Sequence, residues 1–144
     1  LVHITFSTKE RRPFLSDASQ RTALHGYLGA ISMRLDCPAV RVAGGVDDHV
    51  HVLARQARTI SVAEWVTELK RTSSQWAKTQ SASLRAFQWQ AGYGAFSVSQ
   101  SLSQKVEQYI EGQEEHHRTF DFQAEFRKLL DANGVPYDER YVWD

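Results

Sequence analysis

The chain predicts an α+β fold on the split βαβ, ferredoxin-like plan: a four-stranded antiparallel sheet with two packing helices, then two further helices. Three observations predict it. Runs of alternating β-formers occupy residues 1–8, 39–46, 49–55 and 87–99. Amphipathic helical runs follow the first and the third of these. The resulting order of strand, helix, strand, strand, helix, strand is the split βαβ order. No repeat or low-complexity linker interrupts it, and 144 residues suit one domain. Within residues 1–144 the core is expected at about 1–100, a third helix at about 101–115, and a fourth helix with a tail at about 119–144.

Leu1–Thr8 alternates and predicts the first strand, closed by the basic loop Lys9-Glu10-Arg11-Arg12-Pro13. Between Asp17 and Leu35, Leu24, Tyr27, Leu28, Ile31 and Leu35 keep helical spacing behind a cap at Ser16 or Asp17. Cys37-Pro38 stops that helix. Ala39–Val46 predicts the second strand, with Gly44-Gly45 marking a bulge or a close backbone approach. Asp47-Asp48 supplies turn chemistry, and a third strand runs to about Arg55, completing a hairpin. Ser61 caps the second helix, with Val62, Trp65, Val66, Leu69 and Trp76 on one stripe and Lys70, Arg71 and Lys78 off it.

Phe87–Ser99 predicts the fourth strand, broken near Gly92 or Gly94. Ser101 followed by Gln104 has capping-box spacing for a third helix. On that helix Leu102, Val106, Tyr109 and Gln113 share a face. The fourth helix covers Asp121–Asp131, with Phe122, Phe126, Leu129 and Leu130 inward and Asn133-Gly134 as a left-handed stop. The tail from Val135, carrying Tyr137, Tyr141 and Trp143, is expected to dock on the domain.

A hydrophobic content of 42% with 11% aromatics excludes a disordered chain. No apolar run reaches the roughly 20 residues that cross a bilayer. Cys37 is the only cysteine, which excludes an internal disulfide and a Cys-rich zinc site. With no signal-peptide pattern, the expected compartment is a reducing, bacterial-type cytoplasm. Net charge is zero, but unevenly distributed. Residues 1–85 hold 12 Lys and Arg against 7 Asp and Glu, giving +5, and residues 86–144 hold 5 against 10, giving −5. One basic surface is therefore expected, and it permits a polyanion partner.

Side chains two apart on a strand share a face, so His49 and His51 project together while Val50 and Val52 point the other way. Two imidazoles on a rigid face make half of a metal site; an ordinary polar strand face is the plain alternative. Tyr109 and Gln113 lie one helical turn apart, so a phenol and an amide oxygen can address one point. Tyrosine at its unperturbed pKa of about 10 needs activation. A cation held by His49, His51 and Gln113 would polarise a phosphoryl oxygen for in-line attack by Tyr109. No residue stands out as its base. Tyr27, Tyr93, Tyr137 and Tyr141 have no ligand-type residue four positions on along a convincing helix. His116 and His117, being adjacent, read as surface histidines that diverge around the helix; His3 and His25 carry no spacing signal.

His49-Val50-His51 on a third strand, then Tyr109-Ile110-Glu111-Gly112-Gln113 on the helix after a fourth, resembles the single-tyrosine HUH transposases. These serve small insertion sequences of the 200/605 class and their palindrome-associated relatives. Thr8-Lys9-Glu10-Arg11-Arg12 is similar to the family's N-terminus, and Leu69-Lys70-Arg71-Thr72-Ser73-Ser74 to its second helix. The resemblance implies Tyr109 as nucleophile and His49, His51 and Gln113 as ligands of Mg²⁺ or Mn²⁺. It implies cleavage and rejoining of single-stranded DNA at hairpin-marked sites, through a 5′-phosphotyrosine and a free 3′-hydroxyl. It further implies a homodimer whose tyrosine helix completes the partner's site, or a monomer. Lys9, Arg11, Arg12, Lys70 and Arg71 are the candidate DNA contacts. Two other readings stay open. A domesticated, non-catalytic hairpin-binding protein would bind DNA without forming an adduct, and a metal-dependent phosphodiesterase would turn over without Tyr109.

Overall fold

The computed structural model describes residues 1–44, 46–117 and 121–144. Its elements run β1 (Val2–Ser7), α1 (Ala18–Arg34), β2 (Ala39–Ala43), β3 (His49–Ala54), α2 (Val62–Ala77), β4 (Gly94–Ser97), α3 (Ser103–Glu111), α4 (Gln113–His116) and α5 (Phe122–Ala132), with short 3₁₀ turns at Lys9–Arg11, Ala82–Leu84 and Gln100–Leu102. The sheet order is β2-β3-β1-β4 with antiparallel neighbours throughout, as the element order predicts.

One face of the sheet builds the main core. Ile4, Phe6, Val50 and Val52 pack there against Leu24, Leu28 and Ile31 of α1 and Trp65, Val66 and Leu69 of α2. Each such side chain contributes about 1.5–3 kcal/mol through burial. The helices begin where capping chemistry puts them. Asp17 accepts from Gln20 N (3.0 Å) and Ser61 from Glu64 N (3.0 Å). Tyr27 stacks on Trp76 across the α1–α2 seam, with ring centres 4.5 Å apart.

The other face is covered at one end by a smaller cluster of Phe96, Phe122, Phe126 and Leu130. Tyr137, Val142 and Trp143 of the tail pack against it, so the tail docks as expected. Asp121 caps α5 by accepting from Ala124 N (2.8 Å), and Gly134, at φ +65°, ends it.

Three local expectations are corrected. The fourth strand is four residues, Gly94–Ser97, and its predicted first half only touches the sheet through one bridge between Trp89 and Thr8. The reason is Lys70, whose Nζ donates to the carbonyls of Gln90 (2.8 Å), Ala91 (3.2 Å) and Gly92 (2.6 Å) and turns them out of the ladder. The second strand ends at Ala43. At Gly44 a Cβ would lie 2.7 Å from the His49 carbonyl, so the expected close approach is there, while Gly45 lies outside the described residues. Finally, Ser101 falls in a 3₁₀ turn and its hydroxyl meets Ser99, so α3 starts at Ser103 without a side-chain cap, and Leu102 is exposed. Of the expected C-terminal stretch, Thr119 and Phe120 lie outside the described residues.

Candidate active site

Strand alternation builds the floor of the site. On β1, Ile4 and Phe6 enter the main core, which leaves His3, Thr5 and Ser7 on the opposite face. β3 lies alongside in the register Thr5↔His51 and Ser7↔His49, so the two histidines join that same face. α3, α4 and α5 close over them. His49 and His51 are fully buried, as is Gln113, and Glu125 is 1% exposed.

The expected quartet is brought together. Gln113 Oε1 lies 3.1 Å from His49 Nε2 and 3.0 Å from His51 Nε2. Its amide is oriented by its own helix, because Nε2 donates to the Tyr109 carbonyl (3.4 Å). The Tyr109 ring stands edge-on to His51 with centres 5.9 Å apart. Tyr109 and Gln113 do not share one uninterrupted helix, however. α3 ends at Glu111 and α4 starts at Gln113, with Gly112 at φ −82°, ψ 12° between them.

Sequence reading missed Glu125, which is the group that ties the site together. Its Oε2 accepts a short hydrogen bond from the Tyr109 hydroxyl. Its Oε1 lies 3.0 Å from His51 Nε2, 3.3 Å from His49 Nε2 and 3.3 Å from His117 Nε2. His117 Nε2 in turn is 2.9 Å from Gln113 Oε1, and His116 Nε2 is 3.3 Å from Glu125 Oε2. His116 and His117, expected at the surface, therefore both face the site. The kink at Gly112 and the single turn of α4 bring them there. The available signal was a carboxylate in the apolar stripe of α5, three residues after Phe122 and four before Leu129, together with His117 four residues beyond Gln113.

The outer ring nitrogens are also engaged. His49 Nδ1 donates to Asp48 Oδ1 (2.8 Å), and His51 Nδ1 meets His3 Nε2 (2.8 Å). Partners of this kind fix the tautomer and aim Nε2 inward, as around metal-bound histidines. Burial opposes charge on His49, but the Asp48 and Glu125 carboxylates outweigh it and raise its pKa to about 9. Burial lowers His51, and burial together with the neighbouring His51 lowers His3 to about 3. Burial pushes Glu125 up, yet the hydrogen bonds from His117, His49 and His51 overcome it and hold the carboxyl well below its usual range. Tyr109 is raised well above its usual value, by burial first and then by the Glu125 carboxylate. The donor set of imidazole nitrogens and oxygens, with outer nitrogens already held, fits a divalent cation that displaces the His49 proton.

The basic residues divide into two groups. Lys9, Lys70 and Arg71 line one open cleft of about 780 Å³ with Lys78, Trp89 and Trp143. Arg11 and Arg12 stand apart from it. Arg11 pairs with Asp121 (3.6 Å) and Arg12 with Glu10 (3.4 Å). Arg71 is paired with Glu68 (2.6 Å), and burial lowers the pKa of the carbonyl-bound Lys70 to about 8.

A family model described as "transposase IS200 like" matches residues 1–113. The chain belongs to the IS200-like transposase family. The transposase fold is shared with a protein from Deinococcus radiodurans R1, a candidate transposase solved at 1.90 Å. That likeness has 23% identity, a TM-score of 0.59, and coverage of 78% of this chain and 88% of that one. It is shared too with a REP-associated tyrosine transposase bound to a REP hairpin, at 13% identity and a TM-score of 0.60, covering 81% and 67% of the two chains. Among curated proteins none matches this transposase. No helix among its described residues is long and apolar enough to cross a membrane.

Proposed function

We propose that this transposase cuts and rejoins single-stranded DNA at hairpin-marked sites, with Tyr109 as the nucleophile. The observation that carries the reading is the convergence of His49 and His51 from β3 with Tyr109 and Gln113 from the α3–α4 junction, two distant parts of the chain, on one buried point. The hairpin held by the structurally similar REP-associated transposase supports DNA of that form as the partner.

His49, His51 and Gln113 would hold Mg²⁺ or Mn²⁺, which supplies polarisation of a phosphoryl oxygen and offsets the negative charge that keeps the Tyr109 proton in place. Tyr109 Oη attacks phosphorus as its proton leaves along the hydrogen bond to Glu125 Oε2, which orients the phenol and relays the proton without keeping it, because that carboxyl is held well below its usual range. The new bond joins the phenol oxygen to phosphorus, and the bond to the O3′ of the preceding nucleotide breaks. That O3′ takes up the proton shed by Tyr109 and departs as a 3′-hydroxyl, leaving the 5′-phosphate on Tyr109. Return of a 3′-hydroxyl reverses each step and joins strands. Lys9, Lys70, Arg71 and Lys78 line one open cleft and are the candidate phosphate contacts.

The test uses end-labelled oligonucleotides carrying a hairpin from the flanks of the coding region, with Mn²⁺, resolved on denaturing gels. A labelled band at protein mass that vanishes in Tyr109→Phe is expected. Cleavage that persists in Tyr109→Phe overturns the nucleophile and favours hydrolysis; a native complex without any adduct favours the non-catalytic binder.

A further inference from the structure

Gln113 Oε1 faces three imidazole nitrogens, at 3.1 Å (His49), 3.0 Å (His51) and 2.9 Å (His117). An amide oxygen has two lone pairs, so three hydrogen bonds oversubscribe it. The same three nitrogens lie 3.3, 3.0 and 3.3 Å from Glu125 Oε1. Three nitrogens that each lie within 3.3 Å of the same two oxygens make poor hydrogen-bond economy. It is the expected spacing around a cation, because two donors at about 2.1 Å from an ion and at right angles sit about 3.0 Å apart.

We propose that His117 and Glu125 join His49, His51 and Gln113 as ligands, forming a five-donor cage of three imidazole nitrogens and two oxygens that prefers a transition-metal dication such as Mn²⁺ to Mg²⁺. The inference rests on the metal-dependent reading above and deepens it. Both added ligands lie beyond the matched residues 1–113. Imidazole ligation favours later divalent metals, whereas Mg²⁺ keeps oxygen ligands and its waters. Of the two overlapping donor groups that meet at Glu125, His49–His51–Glu125 is wholly buried, while in His116–His117–Glu125 both histidines are partly exposed. His116 addresses the other carboxylate oxygen, the one that holds Tyr109. Five donors leave one octahedral position for a phosphoryl oxygen.

The experiment titrates Mn²⁺ into chelator-treated protein and follows the free-ion electron paramagnetic resonance signal. Pulsed measurements on the bound ion count its nitrogen couplings. One ion per chain and three imidazole nitrogens are expected, with two remaining in His117→Ala. His117→Ala and Glu125→Gln should each weaken binding at least roughly tenfold, and Mg²⁺ in roughly hundredfold excess should not displace the ion. Two nitrogens in the wild type, either variant within about twofold of it, or displacement by that Mg²⁺ overturns the cage. If His49→Ala still abolishes binding, the three-ligand reading survives that failure. Unchanged binding in His49→Ala would remove the metal role of the strand histidines as well. Should Glu125→Gln fail to fold by circular dichroism, His117→Ala and the nitrogen count decide.

Discussion

His49 sits between two carboxylates, with Asp48 at Nδ1 and Glu125 near Nε2, while His3 and His51 sit in surroundings that disfavour charge. Their opposite shifts set the pH behaviour of the metal-free protein. The pKa of His49 is raised from 6.5 to about 9, so its stabilising contribution is complete below 6.5 and disappears as pH rises towards about 9. His3, lowered to about 3, takes its proton more readily in the unfolded chain, so stability also falls as pH drops below 6.5. The melting temperature of chelator-treated protein should therefore peak near 6.5 and decline on both sides. A curve that rises from 6.5 to 9 would refute the His49 pairing. A bound cation must displace the His49 proton, so Mn²⁺ affinity should instead climb through the same interval. At this scale the sequence exposed His49, His51, Tyr109 and Gln113, because each carries a spacing signal. His3 and Glu125 reach the site only through contacts between distant segments, which spacing within one element does not reveal, whereas Asp48 beside His49 and His117 four residues beyond Gln113 carried local signals read as a turn and as surface.

Among the elements, the α3–α4 junction and the β4–α5 contact decide how accurately the site is assembled. Gly112 has a backbone that alanine can adopt, and an added Cβ meets only carbonyls at 3.4 and 3.7 Å. Gly112→Ala should raise stability in urea unfolding by roughly 0.4–1 kcal/mol, by restricting the unfolded chain. A loss would mean that the junction needs glycine. Gly94 behaves differently. A Cβ there would lie 2.5 Å from the Phe126 ring, so Gly94→Ala should cost about 1–3 kcal/mol. It should also push α5, and Glu125 with it, away from Tyr109. Unchanged stability and cleavage in that variant would show that α5 yields freely. Strands and caps whose rules are local were legible here, including Asp17, Ser61 and the Asn133-Gly134 stop. The shortened β4 was not, since Lys70 of α2 removes its first half from the ladder.

For the molecule as a whole, four basic residues of the first 85, Lys9, Lys70, Arg71 and Lys78, line one open cleft together with Glu10, while Arg11 and Arg12 stand apart from it. Lys9→Ala and Arg71→Ala should each weaken hairpin binding and lower the steepness of its salt dependence by about one unit, read by fluorescence anisotropy across salt concentrations. An unchanged slope would take that cleft off the DNA path. Lys70→Ala should instead lower the melting temperature, because three carbonyls lose their donor. The sheet order was legible from the element order alone. The closure of α4 and α5 over the sheet was not, because their apolar faces are short and could dock in several places.

The pairing of Ser7 with His49 and Thr5 with His51 places the chemical face and the core face on the same two strands. Insertion or deletion of one residue inside β1 or β3 would exchange the faces, sending imidazoles into the apolar interior and valines into the reaction chamber. Such a change cannot produce a well-folded but idle protein. Frame errors within these strands would be removed as misfolded chains, whereas loss of activity with the fold intact must come through point substitutions at the chamber itself.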